Sequence, residues 1–145
     1  MKKIICMGII VLMTVLCTVP AYAAENSAKN KKTQEVLSPR YTYISLLTAG
    51  LRINSSGKAT CSGHASAYDS THTTRLTVQL QKSTGSGWST IKSWSTSSTG
   101  QSIAGLEGNY YVVHGTYRVC STARLYNAAD DLLECKSAYS DTVTY

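Results

Sequence analysis

The stretch TTRLTVQLQ, residues 73–81, decides the fold class because its apolar residues occupy every second position. Leu76, Val78 and Leu80 alternate with threonine and glutamine, as in an antiparallel strand that has one buried and one solvent-facing side. No segment after residue 24 repeats large apolar residues at helical spacing over three turns. The chain is therefore predicted to be an all-β protein, with Leu76, Val78 and Leu80 in its core.

Six further β-rich runs lie on either side of this stretch, separated by Gly, Ser, Asn and Asp. They span residues 41–53, 58–68, 88–95, 101–106, 115–126 and 133–145. The stretches NSSG at 54–57 and STGSG at 83–87 supply the residues that tight turns need. About seven short strands joined in this way predict an antiparallel β-sandwich, and residues 41–145 are its expected domain.

Two other strands also indicate which of their sides faces the core. In residues 115–126 one phase is apolar apart from a single serine, and it comprises Tyr117, Val119, Ser121, Ala123 and Leu125. In residues 58–68 one phase holds only small side chains: Ala59, Cys61, Gly63, Ala65 and Ala67. Because protein interiors are close-packed, the facing sheet is expected to supply the bulk that these small residues lack.

The end of the chain resembles a known domain type. TYRVCSTARLYN (116–127) and AYSDTVTY (138–145) look like the last two strands of a fibronectin type III domain. Residues from about 39 to 145, with PRYTYI, GLRINSSGKATCSG, VQLQK and GWSTIKSW, resemble small secreted Firmicutes proteins of a domain-of-unknown-function family. The resemblance implies an immunoglobulin-like sandwich in an exported protein of a Gram-positive bacterium, and it implies no catalytic residue.

Residues 1–23 have the three parts of a signal peptide. Lys2 and Lys3 precede an apolar run at 4–19, and Ala21-Tyr22-Ala23 supplies a small-x-small ending. Cleavage after Ala23 predicts a secreted, extracellular protein with no membrane span after signal removal. The polar, mixed-charge residues 24–40 are then predicted to form a flexible leader.

The net charge of the chain does not indicate a particular function. Without Lys2 and Lys3 the chain has 12 basic residues against 8 acidic ones, a net charge of +4. No basic stripe with interleaved aromatic residues is visible, so a nucleic-acid partner is not expected. The excess supports at most a weak attraction to an anionic envelope.

Three cysteines remain after signal removal, and an odd number leaves at least one thiol unpaired. Cys120 and Cys135 lie on neighbouring antiparallel strands, so a cross-strand disulfide is the leading prediction. The phase of the strands opposes it, because Cys120 is expected outward and Cys135 inward, and a bulge would have to restore facing positions. A bridge from Cys61 to Cys135 across the core, and three free thiols, stay open as alternatives.

No group of residues predicts catalysis, a metal or a cofactor. His64, Asp69 and His72 match no ligand spacing and are expected to form a solvent-facing cluster. The acidic residues Asp130, Asp131 and Glu134 are expected in a solvated turn. No Gly-x-Ser-x-Gly elbow occurs, and no nucleophile signature surrounds any cysteine, so the protein is predicted not to be an enzyme.

Exposed aromatic residues are the candidates for binding, because a flat ring gives much contact area for little lost entropy. The candidate ligand face comprises Trp88, Lys92, Trp94, Tyr110 and Tyr111. If Ile91 points into the core, Trp88 and Trp94 share the outward side of their strand, about 20 Å apart. The alternative is that both rings cap the edge of the sandwich.

The sequence thus favours an exported, non-enzymatic interaction module that works outside the cell or on its envelope. Its partner would be a cell-envelope polymer or an extracellular glycan or protein. A glycan-binding module that uses Trp88 and Trp94 is one alternative. A small secreted effector or toxin-like protein is the other.

Overall fold

The protein, seen here in a computed structural model that describes residues 41–145, is built from β-strands joined by turns. The strands are β1 (Ile44–Ile53), β2 (Lys58–Ala67), β3 (Thr73–Ser83), β4 (Trp88–Thr99), β5 (Ala104–Tyr111), β6 (Thr116–Tyr126), β7 (Leu132–Tyr139) and β8 (Val143–Thr144). The predicted all-β class is confirmed. The predicted signal peptide (1–23) and leader (24–40) lie outside the described residues.

Two antiparallel sheets make up the fold. Sheet A has the strand order β1-β2-β5, and sheet B has the order β4-β3-β6-β7, with β8 beside the start of β6. Each sheet buries its apolar side against the other, so the predicted antiparallel β-sandwich is confirmed. Turns close the strands, and Gly57, Gly85 and Gly100 take positive φ angles of 76°, 86° and 73° there.

The core lies between the sheets, on the side that the alternation predicts. Leu76, Val78 and Leu80 have no exposed surface. The inward phases of β2 and β6 are buried as well, comprising Ala59, Cys61, Gly63, Ala65, Ala67, Tyr117, Val119, Ser121, Ala123 and Leu125. The Tyr117 hydroxyl donates a hydrogen bond of 2.6 Å to the carbonyl of Val113, so its buried polar end has a partner.

Small residues in the middle of the core let the sheets approach each other closely. A Cβ atom on Gly63 would lie 2.5 Å from Val78 Cγ2 and 2.6 Å from Ser121 Oγ. Among the described residues the buried Ser121 hydroxyl has no hydrogen-bond partner. The polar interruption of β6 is therefore explained by size, because the site opposite Gly63 has room for only a small side chain.

The last predicted strand is divided in two. β7 ends at Tyr139. The Ser140 amide still donates a hydrogen bond of 3.0 Å to the Val119 carbonyl, but the Ser140 side chain replaces its carbonyl as acceptor: Ser140 Oγ accepts a hydrogen bond of 2.8 Å from the Val119 amide. The chain rejoins the sheet as β8, where Val143 pairs with Tyr117. The fifth strand also differs from the predicted run at 101–106, since it extends to Tyr111 and so includes Tyr110 and Tyr111.

Glu134 fastens the start of β1 to sheet B, and its prediction as a solvated turn residue is wrong. It lies in β7, and its carboxylate accepts hydrogen bonds from the backbone amides of Tyr43, Ile44 and Thr42 at 2.8, 3.0 and 3.2 Å. Burial raises the pKa of Glu134, but these donors outweigh that effect, so the pKa lies below its usual value. The carboxylate therefore serves as a structural clamp at the rim of the sandwich.

Candidate functional site

One irregularity in β4 determines where the two tryptophans point. Leu80 of β3 pairs with Lys92 and the next residue, Gln81, pairs with Thr90, so Ile91 is an extra residue in β4. Such a β-bulge reverses the alternation of side chains along the strand. Ile91 packs against the core, as the prediction required, but the two tryptophans no longer share a side.

Trp94 lies on the inner side of β4, opposite Val78. Its ring covers Gly108 of β5 so closely that a Cβ atom there would overlap the indole. Trp94 thereby closes the open edge between β4 and β5 and packs against the core. The predicted paired aromatic face is wrong, and the capping alternative holds for Trp94.

Trp88 lies on the outer side of sheet B, in an arrangement that we call the Arg118 stack, made of Trp88, Arg118 and Tyr139. The Arg118 guanidinium lies 4.2 Å from the ring centroid of Trp88 and 4.4 Å from that of Tyr139. Its Nε donates a hydrogen bond of 2.9 Å to Gln81 Oε1. The Arg118 side chain thus has three partners, and each cation–π contact adds about 0.5–1 kcal/mol at an exposed site.

A second arginine–aromatic pair, the Arg75 stack, lies towards the other end of the same face and is made of Arg75, Tyr126 and Asp130. The guanidinium of Arg75 lies 4.2 Å from the ring centroid of Tyr126. One of its nitrogens forms an ion pair of 2.7 Å with Asp130 Oδ1. Asp130 reaches it from the β6–β7 turn with a positive φ of 64°.

Hydroxyl side chains fill the surface between the two stacks. Thr77 is hydrogen bonded to Ser95 at 3.2 Å, and Thr122 to Ser137 at 2.8 Å. An open groove of about 400 Å³ runs along this surface. Its lining residues are Arg75, Leu76, Thr77, Ser95, Thr96, Ser97, Arg124 and Tyr126. We call it the sheet B groove.

The other three residues of the predicted ligand face do not join this surface. Lys92 pairs with Leu80 and is exposed at the β4 edge. Tyr110 pairs with Ala59, and Tyr111 with Lys58, so the two tyrosines point to opposite sides of β5 in sheet A. Tyr111 is 70% exposed, which makes it an isolated ring rather than part of a face with Trp88.

All three cysteines of the described residues carry free thiols. Cys120 lies opposite Tyr139 and Cys135 opposite Arg124. Four residues of strand therefore separate the two sulfurs by about 13 Å, which is beyond the reach of a disulfide. The register argues against the predicted bridge, and the inward prediction for Cys135 is wrong, because it is exposed on the outer side of β7.

The alternative bridge from Cys61 is also disfavoured by geometry. Cys61 faces the core from sheet A, whereas Cys135 points away from the core on sheet B. Burial raises the pKa of Cys61 to about 11, so its thiol is neutral at physiological pH. Cys120 is outward as predicted, yet it is buried, with Sγ 3.8 Å from Thr122 Oγ1.

His64, His72 and Asp69 each have a local contact of their own. His64 is on the outer side of sheet A, 3.3 Å from Thr48 Oγ1, and His72 packs edge-on against Tyr43. Asp69 accepts hydrogen bonds of 2.7 and 2.8 Å from the amide and hydroxyl of Thr71, which lower its pKa. Within residues 41–145 no group of three or more His, Cys, Asp or Glu is arranged to hold a metal ion.

The outer side of sheet A has a groove of its own, of about 510 Å³. Its lining is polar and without aromatic residues: Gly50, Leu51, Arg52, Thr60, Ser62 and Glu107. It contains one arginine and one glutamate, so the formal charge of its lining is zero. The sheet B groove, with its fixed rings and guanidinium groups, is therefore the stronger candidate for binding.

Of the residues that define this candidate site, sequence reasoning found only Trp88. Alternation places Arg118 and Arg124 outward, and both lie there, but it does not tell which rings they meet. The Arg118 stack joins β4, β6 and β7, and Trp88 reaches it across β3. Only the order of the strands in sheet B could have indicated that contact.

Comparison with known proteins assigns no family to the chain. No protein-family model matches it, and no curated protein matches it at a significant level. Within the described part of the chain, no helix is long and apolar enough to cross a membrane.

Proposed function

We propose that this protein is a secreted interaction module of the immunoglobulin-like, fibronectin type III-like kind, which acts by binding and not by catalysis. The strand orders β1-β2-β5 and β4-β3-β6-β7 support this grouping. The resemblance of residues 116–127 and 138–145 to the last two strands of such domains supports it as well. Sandwiches of this type serve widely as cell-surface and extracellular modules.

The observation that carries the proposal is the outer side of sheet B. There the Arg75 stack adjoins a groove lined by hydroxyl groups, and the Arg118 stack lies on the same face of the sheet. Aromatic and arginine side chains supply most of the energy in binding surfaces. Here they are already held in place by their own contacts, so binding loses little side-chain entropy. A row of serine and threonine hydroxyls can donate to and accept from the hydroxyls of a carbohydrate chain.

The ligand is accordingly an extended hydroxylated polymer of the cell envelope or the extracellular medium. The glycan-binding hypothesis from the sequence requires both Trp88 and Trp94. Trp94 is turned inward over Gly108, so it does not contribute. The binding surface is the Arg118 stack and the sheet B groove, with Trp88 as its only tryptophan.

Catalysis by Cys61 or by Cys120 has a physical argument against it. Burial raises the pKa of Cys61 to about 11, and a neutral thiol is a poor nucleophile. Cys120 is 5% exposed, so a substrate does not reach its sulfur without a rearrangement of sheet B. These facts favour recognition over chemistry.

A binding experiment tests the proposal. Purified protein is incubated with insoluble cell-wall polysaccharide and with a panel of soluble glycans, and Trp88→Ala and Tyr139→Ala are compared with wild type. Each substitution removes one ring of the Arg118 stack, and the apparent Kd is expected to rise roughly tenfold. Tyr111→Ala is the control, because it removes an exposed ring from sheet A, away from the Arg118 stack.

The control is expected to bind like wild type. Two results would count against the proposal: no binding by the wild-type protein to any of these polymers, or equal affinity of all four proteins.

A further inference from the structure

We propose that the sheet B groove binds the phosphate group of a phosphorylated carbohydrate or polyol chain, with Arg124 as the principal ligand and Arg75 beside it. The inference rests on the proposed function in that it assigns a ligand class to the same side of the sandwich. Its basis is the pair of arginines, Arg75 and Arg124, that the fold places opposite each other on neighbouring strands.

Arg75 of β3 and Arg124 of β6 are direct cross-strand partners on the outer side of sheet B. Directly opposed like charges destabilise a sheet, so this pair works against folding unless something offsets it. Arg124 is an exposed residue, and it lies within the groove lining together with Arg75. The fold thus concentrates two guanidinium groups where the space is open to a ligand.

Within the described residues, only Arg75 of the two arginines has an ion-pair partner. Asp130 forms the 2.7 Å ion pair with Arg75, and Tyr126 stacks on the same guanidinium at 4.2 Å. Among residues 41–145, no carboxylate lies within ion-pair distance of Arg124. Arg75 is thereby held in one orientation, while Arg124 keeps its full charge and its donors free for an anion.

The chemistry of the surroundings fits a phosphate. A guanidinium presents paired N–H donors that match two oxygens of a phosphate or carboxylate group. The hydroxyl of Ser97 lies in the same lining and can donate to a third oxygen. A tetrahedral oxyanion between Arg124, Arg75 and this hydroxyl would also remove the repulsion between the two arginines.

The groove indicates a chain rather than a free ion. Its volume of about 400 Å³ exceeds what one phosphate needs, and its floor continues as hydroxyls of Thr77 and Ser95. Arg118 lies six residues from Arg124 on β6, a span of about 20 Å. A sugar or polyol phosphate chain along this line would place a charged group at Arg124 and hydroxyl groups towards the Arg118 stack.

The first test uses thermal unfolding of the whole protein in sodium phosphate and in sodium chloride at equal ionic strength. Wild type, Arg124→Gln and the control Arg52→Gln, which removes an arginine from sheet A, are compared. Phosphate stabilises many proteins because it is excluded from their surface. The quantity to compare among the three proteins is therefore the rise in Tm from chloride to phosphate. Phosphate is expected to raise the Tm of wild type and Arg52→Gln more than that of Arg124→Gln.

In chloride, Arg124→Gln is expected to melt at a slightly higher temperature than wild type, because the like-charge pair is gone. An equal phosphate shift in all three proteins would overturn the proposal, and so would a lower Tm of Arg124→Gln in chloride.

The second test separates this inference from the proposed function. Binding to poly(glycerol phosphate) is compared with binding to neutral dextran, with single-stranded DNA as a non-carbohydrate polyphosphate. Wild type is expected to prefer poly(glycerol phosphate) roughly tenfold, and Arg124→Gln to lose that preference. Equal binding to the neutral polymer, or tighter binding to DNA, would refute the inference while leaving a binding function intact. A phosphate shift without binding to any polymer would refute the proposed function and keep the anion site.

Discussion

The two tryptophans of β4 lie in one strand but in different environments, one on the inner side of sheet B and one on its outer side. Trp94 faces inward, and its ring closes over Gly108 with the tightness of a protein core. Trp88 faces outward and is held by the guanidinium of Arg118 at 4.2 Å. The difference teaches that sheet B has one side devoted to stability and another on which polar and aromatic groups are ordered without being buried.

The largest expected effect comes from comparing truncation of the two rings. Trp94→Ala should lower the free energy of unfolding by about 3 kcal/mol, because it opens a cavity at the edge of the core. Trp88→Ala should lower it by less than about 1 kcal/mol, the value of an exposed cation–π contact. Urea unfolding of both variants measures the difference, and equal losses would contradict the division of sheet B into two sides.

Two glycines, Gly63 in the core and Gly105 on the outer side of sheet A, allow a second comparison between a packed and an open surface. Gly63→Ala should destabilise the protein by about 2 kcal/mol, because the new methyl group would meet Val78 and Ser121 at about 2.5 Å. Gly105→Ala is the matched control on the outer side of sheet A, where the nearest atom is His64 Cδ2 at 3.2 Å. The imidazole can turn away, so the control should lose little stability in the same urea experiment.

The smallest expected change in stability comes from Glu134, the structural clamp at the rim of the sandwich. Glu134→Gln should lower stability at pH 7 by about 1 kcal/mol, since three amide donors lose a charged acceptor. The pKa of Glu134 is lowered in the folded protein, so its contribution is complete above the unfolded pKa and is lost as pH falls through the folded pKa.

Unfolding measured at several pH values checks this clamp. The gap between wild type and Glu134→Gln should be constant from pH 7 down to about 5 and shrink below about pH 4, near the usual glutamate pKa. A gap that does not change with pH would show that the carboxylate charge is not what holds β1.

Much of the fold could be predicted from the sequence because the central strands are half buried. In β3 and β6 both neighbours are strands, so the inner side must be apolar, and the alternation of Leu76, Val78 and Leu80 reports it directly. The small residues of β2, including Gly63, were likewise assigned to the core. In these strands, local pattern and tertiary environment agree.

Edge strands were harder to predict for a physical reason. At the rim the inner side is only partly covered, so Glu134 and Lys136 can occupy it and Cys135 can lie outside. Leu133 and other apolar neighbours then suggest the wrong orientation for Cys135, towards the core instead of towards solvent. The bulge at Ile91 escaped prediction because nothing in the local sequence requires it.

The candidate site was the least predictable part of the molecule. Its contacts join strands that are distant in sequence: Trp88 meets Arg118, and Arg75 meets Asp130. Residue types alone suggested a tryptophan face, and one extra residue in β4 was enough to divide it. Binding surfaces of this kind depend on strand order and register, which a single sequence does not state.

The irregular edge strands also affect whether two copies of the protein can associate through their sheet edges. An edge strand offers unpaired backbone groups that can template aggregation, and bulges or interruptions prevent it. Among residues 41–145, β1 carries a register shift between Ile44 and Leu46, β4 carries the Ile91 bulge, and β7 ends at Ser140 before β8. Three of these four edges are thus poorly suited to edge-to-edge pairing, and the bulge that separates the tryptophans also hinders the pairing of β4 with another copy.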